Sequence, residues 1–161
     1  MMGSGDLRAL PEACLVGLAA DDSETVLRRL AKQAESVGLV RRTFTIAVVE
    51  RERRHPTGLP TVVPVAIPHA EAGHVRRDGF AVATLAHPVE FGVMGTNTET
   101  VAVEFVVMLL VVEAHEQVEV LTTLLEAFQR PDWELPLRAA QTPAELARAF
   151  DAHVLHATME G

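Results

Sequence analysis

The residue most able to do chemistry in this sequence is a histidine that ends a short apolar run. His69 directly follows Pro68, and the run before it begins just after the turn signal Pro56-Thr57-Gly58. Imidazole is a competent nucleophile near neutral pH, because its unperturbed pKa is about 6.5. The pattern therefore predicts a reactive histidine at position 69, as one possibility among several.

A metal site is the first alternative, because seven histidines stand in 161 residues. His69, Glu71 and His74 are close enough in sequence to share an ion. Their spacing matches no recognised closed site, and no helix is predicted to align the two imidazoles. A metal-dependent enzyme would lose activity with a chelator, but we expect neither a metal nor a cofactor.

Other nucleophile and nucleotide motifs are missing from the sequence. It contains no Walker motif, no Gly-x-Gly-x-x-Gly and no Gly-x-Ser-x-Gly elbow. Its one cysteine, Cys14, lies in an apolar stretch that predicts a buried, inert thiol. Paired carboxylates among Glu99, Glu104 and Glu113 stay open, although nothing in their spacing favours them.

Four further histidines and two arginines are expected to be structural or solvated. The densely charged segment 50–54 is typical of a helix C-terminus, where arginines complement the helix dipole. This interpretation covers Arg53 and Arg54, whereas Arg51 is treated separately below. The histidines concerned are His55, His87, His153 and His156.

Composition excludes several classes of function. The net charge of −8 argues against nucleic-acid binding, which needs a basic surface, but not against one phosphate held by local donors. No apolar run approaches the roughly 18 residues that span a bilayer, and residues 1–6 do not form a signal peptide. We therefore expect a soluble cytoplasmic protein.

Hydrophobic periodicity and cap signals predict alternating helices and strands. The helix at 23–37 has Asp21 as its expected N-cap and Gly38 after its end, and Thr142 caps the last helix, with Pro143 in its first turn. Pro88 to Asn97 is predicted to be a connection. The other predicted helices are 43–54, 113–129 and 132–140, and the predicted strands are 61–67, 80–87 and 101–112.

These elements predict an α/β fold: one mixed β-sheet flanked by helices, as a single sheet in a sandwich. A regular doubly wound sheet is disfavoured, because too few strands alternate with helices. We expect a single domain over 1–161 with a core at about 10–150 and flexible ends. His69 should lie exposed where an extended edge segment passes into a loop.

Three groups of residues together resemble a known family. They are Arg51-Glu52, Pro56-Thr57-Gly58 and Val65-Ala66-Ile67-Pro68-His69. The set resembles the EIIA components of the bacterial phosphoenolpyruvate:sugar phosphotransferase system, in the fructose–mannitol class (type 2). The resemblance covers about 10–150. Pro56-Thr57-Gly58-Leu59-Pro60, Leu85–Val89 and Phe91–Gly95 are similar to the galactitol-type branch.

The resemblance implies a phosphotransferase component that carries phosphohistidine. His69 would accept a phosphoryl group from the carrier HPr and pass it to an EIIB domain, with a membrane EIIC as an indirect partner. Arg51 would stabilise the phosphoryl oxygens, and Thr57 would bind the phosphate or orient the loop. The docking face around His69 is expected to be apolar with an acidic rim.

One position departs from the pattern of mannitol-type members, which carry a second histidine at the start of the helix after the long strand. Gln117 aligns there, as glutamine tends to in the galactitol-type branch. A glutamine can hydrogen-bond but cannot supply the charge of an imidazolium. His115 is a second possibility, although two residues along a helix separate it from Gln117 by about 200°.

Two roles remain open for such a domain. It can feed uptake of a sugar or polyol such as galactitol, or it can be a regulatory module that binds proteins according to the phosphorylation of His69. The sequence does not identify the sugar, because this component does not contact it in the transport scheme.

Overall fold

A five-stranded mixed β-sheet forms the centre of the chain in the computed structural model, which describes residues 7–156. The strand order is β1-β4-β5-β3-β2, with β1 parallel to β4, β4 antiparallel to β5, β5 parallel to β3 and β3 antiparallel to β2. The strands are β1 (Leu15–Leu18), β2 (Gly58–Leu59), β3 (Val65–Ala66), β4 (Gly79–Gly92) and β5 (Thr100–Leu110).

Helices cover both faces of this sheet. Alternate residues of β5 point to opposite sides, so Val106 joins a core with α1 and α2, whereas Phe105 joins a second core with α3, α4 and α5. The predicted mixed sheet flanked by helices is confirmed. The helices are α1 (Ser23–Ser36), α2 (Phe44–Arg54), α3 (Ala114–Ala127), α4 (Glu134–Ala139) and α5 (Pro143–Phe150).

Local cap chemistry sets where the helices start. The Asp22 carboxylate accepts a hydrogen bond from Thr25 N–H at 2.8 Å, so Asp22 and not the predicted Asp21 is the N-cap of α1. Thr142 caps α5 as predicted and accepts from Glu145 N–H at 3.1 Å. Gly38 follows α1 with φ +81°, a left-handed conformation that favours glycine.

The strand prediction differs from the structure in several places. β4 runs through Pro88 to Gly92, because a register shift between Thr84 and Val89 releases the proline from the hydrogen-bond ladder. The predicted strand at 61–67 is reduced to β3, since residues 61–63 form a bend. The short β1 was not predicted at all.

Residues 7–10 belong to the N-terminal segment that was expected to be loose, but they are bonded to β4. Leu10 N–H donates to the Phe80 carbonyl at 3.0 Å, and Leu7, Ala9 and Leu10 are buried. The predicted flexibility of the extreme ends falls outside residues 7–156. Within that described range, no helix is long and apolar enough to cross a membrane.

A close backbone contact holds the turn at 56–58 against β4. A Cβ atom built on Gly58 would lie 2.5 Å from the Gly92 carbonyl oxygen, and one built on Gly92 would lie 2.8 Å from Pro56 Cβ. Only glycine fits at both positions without a backbone shift. The contact fixes the position, relative to β4, at which the chain enters β2 and β3. It therefore also affects the position of His69 along the sheet.

Gly58→Ala is expected to lower the free energy of unfolding by roughly 1–3 kcal/mol, because the added methyl group displaces backbone. Urea unfolding followed by circular dichroism measures the change. Gly73→Ala is the matched control, since a Cβ at Gly73 meets nothing within 4 Å. Equal stability of the two variants would show that the contact with Gly92 carries no constraint.

Candidate functional site

His69 lies three residues beyond the end of β3, at the point where the chain leaves the sheet. β3 pairs with the central strand β5, and the ladder is prolonged by Leu109 N–H donating to the Pro68 carbonyl at 3.0 Å. The histidine is therefore anchored to the middle of the sheet. Contrary to the expectation of an exposed residue, its relative exposure is only 4%.

One ring nitrogen of His69 is held by the backbone. Nδ1 lies 3.0 Å from the Ile67 carbonyl oxygen. A carbonyl oxygen only accepts, so Nδ1 carries the proton and donates it, which places the lone pair on Nε2. Nε2 makes no hydrogen bond to any residue in the described range 7–156. The ring is thus fixed in orientation and in the tautomer needed for attack by Nε2.

The surroundings of His69 favour the neutral imidazole. Burial lowers the pKa of His69 below its ordinary value of 6.5, and the positive charge of Arg51 lowers it further, while the hydrogen bond to Ile67 opposes both effects. A neutral imidazole keeps the lone pair that a nucleophile needs. The site therefore favours, at neutral pH, the form of the ring that could act as a nucleophile.

Arg51 lines the same cleft as His69 and is partly buried. It lies in the last turn of α2, and its Nε is buried with no hydrogen-bond partner among the described residues. A buried, unpaired donor is costly unless something else satisfies it. Arg51 therefore brings a positive charge close enough to lower the pKa of His69, and the same charge also acts on the carboxyl group of Glu52.

Thr57 is buried and bonded to the neighbouring Glu52. Thr57 N–H and Oγ1–H donate to the two carboxylate oxygens of Glu52, both at 2.8 Å. The hydroxyl proton is thus committed to Glu52, so the geometry favours the loop-orienting role over direct donation to a phosphate. Burial raises the pKa of Glu52 to about 7, although the bonds from Thr57 and the charge of Arg51 oppose the rise.

The cleft that His69 lines has a volume of about 550 Å³. Its walls come from the end of α2, the turn after it, the loop after β4, and Leu121 of α3. Among its described lining residues none is acidic, whereas Glu50 and Glu71 line the adjoining groove. The acidic rim of the docking face stays a prediction. The residues around the opening are Arg51, Arg54, His55, Pro56, Thr57, Met94, Gly95, Thr96, Asn97 and Leu121.

Two of these residues were missed as site residues from the sequence. Arg54 and His55 were interpreted as a solvated helix end and a structural histidine, yet both line the cleft and are exposed. Arg53 fits the earlier interpretation, because its guanidinium pairs with Glu24 of α1. The available signal was spacing: Arg51 and Arg54 are three residues apart and share one face of α2.

Gln117 lies next to the site and His115 does not. The Gln117 amide donates to the Ala70 carbonyl at 2.8 Å, directly after His69. His115 is exposed, lies 4.0 Å from the Glu113 carboxylate and lines a different cleft with Arg76. Gln117 thereby holds the backbone that follows His69 with one of the two N–H groups of its side-chain amide.

No metal centre is assembled from the predicted candidates. Across residues 7–156, no group of three or more His, Cys, Asp and Glu side chains is placed to hold an ion. His74 instead hydrogen-bonds Thr43 at 2.7 Å. Glu104, one of the carboxylates left open by the sequence, forms an ion pair with Arg138 at 3.3 Å.

Cys14 is buried, and burial raises the pKa of its thiol to about 11. The thiol is therefore protonated at neutral pH and is a poor nucleophile. The predicted inert role agrees with this environment. His87, His153 and His156 are exposed and lie away from the cleft around His69.

The imidazole of His69 is expected to titrate with a midpoint below 6.5, because burial and Arg51 disfavour the cation. An NMR titration of the histidine ring signals measures it, with His69→Ala identifying the signal. The urea-unfolded chain gives the reference near 6.5. A folded midpoint at or above that reference would contradict the proposed neutral state.

Glu52→Gln is expected to change how stability depends on pH. The folded state holds the Glu52 proton more tightly than the unfolded state, so this group's stabilising contribution falls as pH rises from about 4.5 to about 7. The variant should therefore gain stability relative to the parent by roughly 1–3 kcal/mol between pH 4.5 and 8. Unfolding curves at several pH values test this, with Glu50→Gln on the same helix as the control for loss of a carboxylate.

Comparisons with known proteins agree with this geometry. Residues 11–153 match the family model of the phosphoenolpyruvate-dependent sugar phosphotransferase system, EIIA 2. The galactitol-specific EIIA component of Escherichia coli strain K12 is 29% identical over 117 residues, which are 72% of this chain and 77% of that protein. The 2-O-alpha-mannosyl-D-glycerate-specific EIIABC component of the same strain is 30% identical over 134 residues, 80% of this chain but only 20% of that longer protein.

Solved structures with the same fold include IIA mannitol from Escherichia coli, with a TM-score of 0.71 and 20% identity over 89% of this chain and 99% of that one. A complex of enzyme IIA and phosphorylated enzyme IIB for mannitol, also from E. coli, gives a TM-score of 0.70 and 19% identity, covering 94% and 98%. Nitrogen regulatory protein IIA-Ntr from Neisseria meningitidis gives 0.67 and 19%, covering 90% and 97%.

The predicted fructose–mannitol class, the galactitol-type similarity and the fold are confirmed by these matches. Because the family model covers most of the sequence, the chain belongs to the EIIA 2 family of the phosphoenolpyruvate-dependent sugar phosphotransferase system.

Proposed function

We propose that this chain is a phosphocarrier in which His69 accepts a phosphoryl group from HPr and passes it to a cognate EIIB. The observation that carries the proposal is the state of His69: a buried, neutral imidazole with Nδ1–H bonded to Ile67 and a lone pair on Nε2, beside Arg51. The protein would act as a phosphotransferase component rather than as a stand-alone catalyst, and the whole chain would serve as one EIIA domain.

The proposed transfer is a displacement at phosphorus. The Nε2 lone pair forms a bond to the phosphorus of phospho-HPr, and the electrons of the donor N–P bond return to the donor nitrogen. Nδ1 keeps its proton, and the Ile67 carbonyl stabilises the positive charge that develops on the phosphorylated ring. Transfer to EIIB reverses the roles: the N–P bond at Nε2 breaks and its electrons return to the imidazole.

Positioning and charge account for most of the catalysis of phosphoryl transfer. Arg51 supplies a guanidinium with a buried, unpaired Nε, which supports its assignment as a donor to the phosphoryl oxygens. Thr57 and Glu52 hold the turn that forms the cleft wall. Gln117 positions the backbone at Ala70 and does not itself supply charge.

The proposed partners are HPr upstream, EIIB downstream and a membrane EIIC indirectly, which places the reaction in the cytoplasm. The neighbouring mannitol structure holds its IIA with phosphorylated IIB, and this supports an EIIB partner here. Galactitol or a related polyol is the proposed class of sugar, on the strength of the galactitol-specific relatives. The sugar itself would not touch this domain.

Incubation with phosphoenolpyruvate, enzyme I and HPr is expected to add one acid-labile phosphoryl group. His69→Ala should abolish labelling completely, because no other imidazole in the described cleft combines burial with a fixed tautomer. Alkaline digestion should yield histidine phosphorylated on Nε2. Labelling of His69→Ala at the parent rate would overturn the site assignment.

The downstream step is tested with the phosphorylated protein and purified EIIB domains. Transfer to a galactitol-type EIIB, with slower transfer to a mannitol-type EIIB, supports the transport role. Phosphorylation by HPr without transfer to any EIIB would instead support the regulatory alternative, in which partners bind according to the state of His69.

A further inference from the structure

The charge on a phosphorylated His69 exceeds what one arginine balances. A phosphoryl group carries close to two negative charges at pH 7. Arg51 provides one positive charge, and Gln117 is neutral, with its amide donated to Ala70. Where protein atoms limit the access of water to a cleft, an unbalanced negative charge is costly. The geometry therefore calls for a second cation at the same group.

The C-terminal end of α2 adds to the need for a second cation. Its last turn lies at the cleft, so the partial negative charge of the helix C-terminus faces the region where the phosphoryl oxygens would lie. The His55 N–H donates to the Arg51 carbonyl at 2.7 Å, which satisfies only part of this helix end. A cation in the last turn offsets the helix dipole as well as the phosphoryl charge.

Arg54 is placed to be that cation. It lines the cleft with His69, lies one turn beyond Arg51 on the same face of α2, and is exposed. Among residues 7–156 it has no ion-pair partner, although Glu50 and Glu71 line the groove that continues past it. Its guanidinium is therefore free to turn into the cleft.

The preceding arginine is exposed as well, but it has a different partner and lines a different cleft. Arg53 points to α1, pairs with Glu24 and lines a separate cleft on that side of the helix. Adjacent arginines on one helix end thus have different surroundings, because Arg53 is paired with a carboxylate and Arg54 lines the cleft that His69 lines. The contrast argues against a uniform solvated helix end.

We propose that Arg54 is a second phosphoryl-binding residue, which contacts the phosphoryl group on His69 together with Arg51 and supplies the positive charge that Gln117 does not. The inference rests on the proposed phosphocarrier function. A planar guanidinium suits the task, because it donates two parallel hydrogen bonds to phosphoryl oxygens.

The first test compares Arg54→Gln with Arg53→Gln, which remove the same charge from adjacent positions. Phosphorylation by phospho-HPr should slow about tenfold in Arg54→Gln, because a charge-assisted bond to the transferring group is lost. Arg53→Gln should stay within about twofold of the parent, since exposed ion pairs contribute little. Arg54→Lys should recover part of the rate.

A second readout needs no partner protein and so separates phosphoryl binding from docking of HPr. In ³¹P NMR of the isolated phosphoprotein, Arg54→Gln should raise the pKa of the phosphoryl group by about 0.5 or more, because a nearby cation favours the dianion. Arg53→Gln should leave this titration as in the parent. Circular dichroism of both variants checks that they are folded.

The outcomes are distinct. A parent protein that is not labelled, or a His69→Ala variant that is, defeats the phosphocarrier function itself. Labelling on His69 with equal rates and equal ³¹P titrations in the two arginine variants defeats the role of Arg54 alone. A slower rate in Arg54→Gln with an unchanged ³¹P titration assigns Arg54 to partner docking and also overturns the proposal.

Discussion

The pair of hydrogen bonds from Thr57 to the buried Glu52 carboxylate joins the two parts of the site. One end of this contact belongs to α2, which carries the arginines, and the other to the turn that leads into β2 and β3, which carry the imidazole. Without it, the cationic helix end and the histidine would be set by separate elements. A carboxylate that accepts two donors from one residue leaves little freedom for either side to shift.

The sheet provides the second half of the positioning. β3 contains only two residues, yet it pairs with β5, whose central part is buried on both faces by the two helical layers. The glycine contact at Gly58 and Gly92 sets the distance between the turn and β4. A reactive side chain on a short loop is thus held by rigid neighbours on three sides, which is what precise positioning of a transferring group requires.

Sequence patterns predicted the parts of this structure that depend on local chemistry. The helices with clear periodicity, the cap at Thr142 and the strand β5 were found within a few residues, and the Pro-His segment was singled out. The continuation of β4 through Pro88 could not be predicted, because a bulge in a paired strand removes the penalty for proline. β1 was missed because four residues interrupted by a left-handed Gly17 give no alternating pattern.

The site was less predictable than the fold, because its contacts join residues that are distant in the sequence. The cleft that His69 lines is completed by Met94 and Leu121, which come from a loop and a helix distant in sequence. The Thr57 hydroxyl donates its hydrogen bond to the carboxylate of Glu52, and only the packing of α2 brings that carboxylate within reach. The separate surroundings of Arg53 and Arg54 follow from the approach of α1, which no pattern within residues 50–54 contains.

The depth of His69 has a consequence for the shape of whatever meets it. His69 is only 4% exposed and lines a cleft, so a flat surface would have little access to its ring. A protein that exchanges a group with it must present that group on a protrusion narrow enough to enter. Bulk water meets the same restriction, so a labile bond at this depth has few hydrolytic encounters. The concave surface would then select between partner proteins. It would also protect a labile bond at His69 from hydrolysis between one partner and the next.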